Sequence, residues 1–211
     1  MRIAVIGATG MAGSRIAAEA VRRGHAVSGF SRSIGSDERD RGEFAVFTAD
    51  AADAQAMGRI AAGHDVIVLA TRPAPGADDD VCSPVAAVLG TALEFGRRVI
   101  VIGGAGPLRG PNSDQRVIDD PRFVPPEWRS IAQLSVDQFN ACATHPADWT
   151  YLSPPALFGP GTRTGTYRRG GNRILIDPRG ESLISAEDLA VAALDEIEEP
   201  EPGVRHFTVA Y

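Results

Sequence analysis

The chain contains no lysine: all 21 of its basic residues are arginine. A Schiff-base lysine, the lysine of a Walker-A phosphate loop and a Tyr-x-x-x-Lys catalytic pair are therefore excluded. Cysteine is nearly absent too. Cys82 and Cys142 stand far apart with no C-x-x-C spacing, which argues against a disulfide framework or a structural zinc and for small buried side chains. There is no run of 18 apolar residues and no apolar leader before the first strand, so the expectation is a cytoplasmic protein with no membrane partner. An excess of positive charge is also missing. Twenty-one basic against 27 acidic residues leave a net charge of −6, which argues against nucleic acid as a partner. His25, His64, His145 and His206 show no metal or triad spacing. The run Asp78-Asp79-Asp80 has no His or Cys partner and reads as a solvated loop, so no metal is expected.

What is present suits one ordinary globular domain spanning residues 1–211, with 44% hydrophobic and 23% charged residues. Short apolar runs alternate with helix-like segments. Strands are expected at 3–6, 25–30, 44–49, 65–70, 98–102, 149–153 and 206–209, with a short one at 173–176. Helices are expected at 11–23, 51–62, 83–95, 127–141 and 185–198. Gly24 would close the first helix; Ser83 would cap the third, with Pro84 at its first position. Residues 33–42 are too polar to bury. Residues 103–126 hold four Gly and five Pro and form a long irregular connection, a kind of loop that is commonly functional. Strands alternating with helices imply an α/β fold: a doubly wound parallel sheet in a three-layer αβα arrangement.

The segment Gly7-Ala8-Thr9-Gly10-Met11-Ala12-Gly13 places G-x-x-G-x-x-G between the first strand and the first helix. Such a turn lets backbone N–H groups and a helix N-terminus approach a pyrophosphate, and the third glycine lets helix and strand pack closely. The second strand ends Gly29-Phe30-Ser31-Arg32, without the Asp or Glu that would accept from a ribose 2′-OH. Ser31 and Arg32 instead suit a 2′-phosphate, so NADP(H) is preferred, with NAD(H) still accommodated. Asp50 and Ala51 after the third strand would meet the adenine, although Asp50 reads equally as a helix N-cap. Ala70, Thr71, Arg72 and Pro73 after the fourth would meet the ribose and diphosphate.

These residues resemble the atypical short-chain dehydrogenase/reductases of the NAD(P)H-binding, NmrA-like kind. The nearest likeness is to proteins named as NADH-flavin reductases, relatives of biliverdin-IXβ/flavin reductase. The matching blocks are RIAVIGATGMAGSRIAAEAVRRGH, VIGGAG, DWTYLSPPALFGPGTRTGTYR and LISAEDLAVAALDEIE. The resemblance implies a Rossmann-like sheet of order 3-2-1-4-5-6-7 with the nucleotide across its carboxyl edge. It implies a substrate pocket built by the loops after strands five and six, the second of them within about residues 154–180. It brings Ser153, Pro154 and Pro155 to the nicotinamide.

The helix PEWRSIAQLSVDQFN carries neither Tyr nor Lys, which disfavours carbonyl reduction by the usual acid. Hydride transfer to a planar acceptor such as a flavin or quinone demands less of the protein, and the sequence leaves open whether a flavin would be a substrate or a bound cofactor. Ser153 and Tyr167 are the candidate catalytic hydroxyls. Arg109, Arg163, Thr164 and Arg168 are candidates to hold an anionic substrate group; the alternative is that these arginines tie the loop to carboxylates elsewhere in the fold. Trp128 and Trp149 are expected to be packing residues. The sequence leaves room for a non-catalytic NADP-binding redox sensor, for an isomerase using bound NADP, and for a homodimer.

Overall fold

The computed structural model describes residues 1–34, 44–72 and 80–211. Its centre is a strand that is apolar on both sides. Along β1 (Arg2–Ile6), Ile3 and Val5 enter one core cluster while Ala4 and Ile6 enter another. That two-faced burial is what a parallel sheet covered by helices requires. The flanking strands are β2 (Ala26–Ser31), β3 (Ala45–Thr48), β4 (Val66–Leu69), β5 (Arg98–Ile102) and β6 (Trp149–Ser153). Three short strands follow, β7 (Leu157–Gly159), β8 (Arg168–Gly170) and β9 (Leu183–Ser185), and then β10 (His206–Ala210). The main sheet has the order β3-β2-β1-β4-β5-β6-β10-β8, parallel throughout except for β8, which lies antiparallel on β10. Counting β10 as the seventh strand, this is the expected order with one added edge strand. β7 and β9 form a separate parallel pair.

Helices α1 (Met11–Arg22) and α5 (Ala186–Glu198) cover one face; Ala17, Ala20, Leu189 and Ala193 pack there on Val5, Val68 and Ile100. Helices α2 (Ala54–Gly63), α3 (Cys82–Phe95) and α4 (Arg129–Ala143) cover the other with Met57, Ile60, Val85, Leu89 and Cys142. The result is one α/β domain with a Rossmann-like sheet.

Several local expectations change. Ser83 is not a cap: Val81 holds that position, and the Asp80 carboxylate accepts from the Cys82 and Ser83 amides at 2.9 Å each. Pro84 therefore sits two residues inside α3. This also gives Asp80 a structural role; Asp78 and Asp79 lie outside the described residues, as does most of the expected 33–42 loop. Asp53, not Asp50, caps α2, accepting from Gln55 and Ala56. Residues 173–176 form no regular strand, because Arg173 makes a lone bridge to Arg109. No helix among the described residues is long and apolar enough to cross a membrane.

Candidate functional site

The glycine turn joins β1 to α1 at the carboxyl edge of the sheet. Gly7 has φ +89°, and a Cβ there would lie 2.4 Å from the Ala70 carbonyl oxygen. The Gly7 and Ala8 amides both donate to the Phe30 carbonyl, at 2.7 and 3.1 Å, and the Gly10 amide donates to the Gly7 carbonyl. These bonds fix the turn and occupy three of its amides. The donors left for a ligand are the Thr9 amide and those of Met11, Ala12 and Gly13, which open α1 and have no acceptor inside the helix. No side chain caps this helix and its first turn carries no acid, whereas Asp53 and Ser185 cap α2 and α5. A Cβ on Gly13 would lie 2.1 Å from the Gly7 oxygen, so only glycine lets the helix start sit directly on the turn.

Neighbouring strand ends complete the groove. Thr9 Oγ1 and Ser31 Oγ are 2.9 Å apart and lock the turn to the end of β2, beside the exposed Arg32. Thr71 is partly buried and Arg72 exposed at the end of β4, next to Ala70; Pro73 lies outside the described residues. Asp50 is exposed, and its carboxylate accepts from the Ala52 amide at 3.0 Å. Ala51 is only 4% exposed, so its side chain packs in the core and cannot face an adenine.

A model of the NAD(P)H-binding family matches residues 7–200 of this chain. The chain belongs to the NAD(P)H-binding family. It is 35% identical to the uncharacterized Bacillus subtilis protein YwnB over 99% of this chain and 98% of that one. The crystal structure of a Burkholderia pseudomallei protein, provisionally named as exported, matches at 38% identity and a TM-score of 0.86, with both chains fully covered. A Streptococcus pneumoniae structure, provisionally named an NADH-flavin reductase, matches at 27% identity and a TM-score of 0.87. That match covers 100% of this chain and 99% of the other. An uncapped helix start, cradled by glycines whose Cβ atoms the fold has no room for, fits the diphosphate that this NAD(P)H-binding family takes.

In this member of the NAD(P)H-binding family the expected catalytic hydroxyls are committed elsewhere. Ser153 is 0% exposed: its Oγ lies 2.9 Å from His206 Nε2 and its carbonyl accepts from Thr208 Oγ1 at 2.8 Å. It joins β6 to β10 and is no catalytic group. Pro154 and Pro155 are buried beside it. The Tyr167 hydroxyl donates to Asp195 Oδ2 at 2.5 Å, and burial and that carboxylate raise its pKa well above the tyrosine range. It is not poised to give up a proton. Tyr167→Phe is expected to lower stability by about 1.5–3 kcal/mol, the worth of a hydrogen bond to a charged group. It should leave nucleotide affinity and any turnover unchanged; a urea melt and a calorimetric titration with NADPH read the two.

Two of the candidate substrate residues, Arg163 and Thr164, tie their loop to α1 and α5. Arg163 makes a two-pronged ion pair with Glu19, at 2.9 and 3.1 Å. Glu19 lies eight residues along α1 from Met11, about 12 Å from the phosphate-facing end. The Thr164 amide and hydroxyl both donate to Asp188, at 2.8 and 2.6 Å. Arg168 donates to the Tyr211 and Ile176 carbonyls. Arg109 donates to the Asp114 carbonyl at 2.9 Å, within its own loop. The reading of Arg163 and Thr164 as anion holders is corrected accordingly, because carboxylates of the fold take them; Arg109 and Arg168 are exposed and bond backbone carbonyls. Fold-holding and substrate-holding arginines look the same in a sequence, because only the position of a partner such as Glu19 in space tells them apart.

His206 adds a pH signature. Its ring stacks on Phe139 at 4.6 Å and meets Tyr151 edge-on at 5.5 Å, and burial pushes its pKa down to about 4. The unfolded chain therefore takes this proton first. The stabilisation is complete above pH 6.5 and is lost as pH falls from 6.5 towards 4, by up to about 3 kcal/mol. Urea melts at pH 7 and 4.5 should show a smaller loss for His206→Gln than for the unchanged chain; equal losses would clear His206 of the effect.

Sequence reasoning also misplaced one tryptophan. Trp149 is 5% exposed and its indole donates to the His145 carbonyl, as a packing residue should. Trp128 is 57% exposed. Its polar neighbours Glu127, Arg129 and Ser130 carried that signal.

Proposed function

We propose that the chain is an NADPH-preferring reductase that delivers hydride to a planar acceptor such as a flavin or quinone. The observation that carries this reading is the uncapped first turn of α1 beside a β2 end that bears Ser31 and Arg32 and no acid. On this reading the amides of Met11, Ala12 and Gly13 hold the diphosphate. Thr9, Ser31 and Arg32 hold the 2′-phosphate, and Thr71 and Arg72 flank the ribose. NADPH, when bound, supplies the hydride; the protein positions two rings and excludes water. The name of the pneumococcal relative supports a flavin acceptor. The absence of lysine and the commitment of Ser153 and Tyr167 to the fold support an acceptor that needs no protein acid.

Contacts to the extra phosphate are worth about 1.5–3 kcal/mol, or roughly 10- to 100-fold in affinity. Arg32→Ala should weaken NADPH by that factor and leave NADH unchanged; an unaltered NADPH/NADH ratio by calorimetry would refute the assignment. Turnover is tested by following nicotinamide absorbance with FMN, riboflavin and a quinone panel. The commitment of Ser153 and Tyr167 to the fold also favours a second reading, a non-catalytic NADP-binding redox sensor. Tight NADP binding with no acceptor reduced above buffer would select it.

A further inference from the structure

We propose that Trp128 is the stacking platform that selects flat aromatic acceptors; this rests on the reductase reading above. Trp128 ends the short 3-10 turn Pro126–Trp128 and stands at the start of α4. It is 57% exposed, and among the described residues no ring stacks on it and its indole N–H has no partner. A bare indole of that area is an exception on a small soluble domain.

Its place in the fold says what should cover it. The first turns of α4 press on the loop that leaves β5. A Cβ on Gly106 would lie 2.6 Å from the Ala132 carbonyl oxygen, and one on Gly104 would lie 2.9 Å from Ser135 Cβ. Ala132, Ala105 from the loop after β5 and Ala156 from beyond the end of β6 each pack on the buried cluster of Leu108, Val117, Val124 and Ile174. Trp128 lies one turn before Ala132, about 6 Å along the axis and on the same side of the helix. This puts the exposed indole at the helix start that faces the carboxyl ends of β5 and β6, where open α/β sheets bind their ligands.

The platform is also held in place. Arg129 Nη1 donates to the Ile118 carbonyl at 2.6 Å, its Nη2 pairs with Asp119 at 2.7 Å, and the Trp128 amide donates to the Pro125 carbonyl at 2.9 Å. The backbone beneath the ring is fixed before anything binds, so stacking costs little ordering. Because Trp128 belongs to none of the three buried clusters, its loss should not unfold the chain.

The experiment titrates riboflavin into the unchanged protein, Trp128→Phe and Trp128→Ala, reading tryptophan fluorescence and NADPH-dependent turnover. Riboflavin should quench the unchanged protein. Trp128→Ala should lose most of that quenching and raise KM for riboflavin about ten-fold, with a much smaller change in kcat. Trp128→Phe, which keeps a flat ring, should restore KM. Turnover with an unchanged KM in Trp128→Ala overturns the platform. So does a dimer in the unchanged protein that Trp128→Ala converts to monomer without altering KM, since the ring then serves a second copy. If no acceptor is reduced at all, the reductase reading fails, and the quenching titration still decides the platform by itself.

Discussion

Gly13→Ala should abolish detectable NADPH binding and lower thermal stability in the same protein. The added methyl would sit 2.1 Å from the Gly7 oxygen and 2.8 Å from its carbonyl carbon. Both are backbone atoms, and Gly7 is itself held by the Phe30 carbonyl. No rotamer can relieve the clash, so α1 must lift from the turn and carry its first-turn amides out of position. A displacement near 1 Å at such a site is worth about a hundred-fold. Gly90→Ala is the control. It lies in α3 with nothing within 4 Å of the new methyl, and it should gain about 0.5–1 kcal/mol of stability with binding untouched. Calorimetry with NADPH and a thermal melt on both variants settle the matter. Gly13→Ala binding as tightly as the unchanged protein would remove the turn from the site.

The second large effect is structural. Glu19→Ala should cost about 3–5 kcal/mol, the penalty for stripping the partner from buried or half-buried charges. The Glu19 side chain is 4% exposed and accepts from Arg22, Arg23 and Arg163. Those three guanidiniums hold its carboxyl well below the usual range despite burial, so the stabilisation is present above the ordinary carboxylate pKa and fades as pH falls. Arg163→Met removes one of three donors and leaves Arg22 and Arg23 on the carboxylate, so it should cost far less. Urea denaturation of both variants at pH 7 tests this. Equal, small losses would mean the carboxylate is solvated rather than clamped.

The parts of this molecule that follow from chain-local physics were legible in the sequence. Ile3–Ile6, Val66–Leu69 and Val99–Ile102 are apolar at every position and can only be strands buried on both faces. Gly7, Gly10 and Gly13 stand at a strand-to-helix junction, where their spacing has a steric reason. Capping was less legible. Asp50 and Asp53, or Asp80 and Ser83, offer the same chemistry within a few residues, and tertiary packing decides which one ends up at the helix start. The Arg/Thr/Tyr block was the least legible. Its partners Glu19, Asp188 and Asp195 are more than twenty residues away, so the same letters spell a substrate clamp or a strap over two helices.

The antiparallel strand β8 has a consequence for self-association. It covers β10, which would otherwise present an open row of backbone donors and acceptors at that border. β8 itself is three residues long and carries Arg168 and Arg169, a short and charged border that discourages strand addition by another molecule. The protein is thereby guarded at that margin against edge-to-edge aggregation.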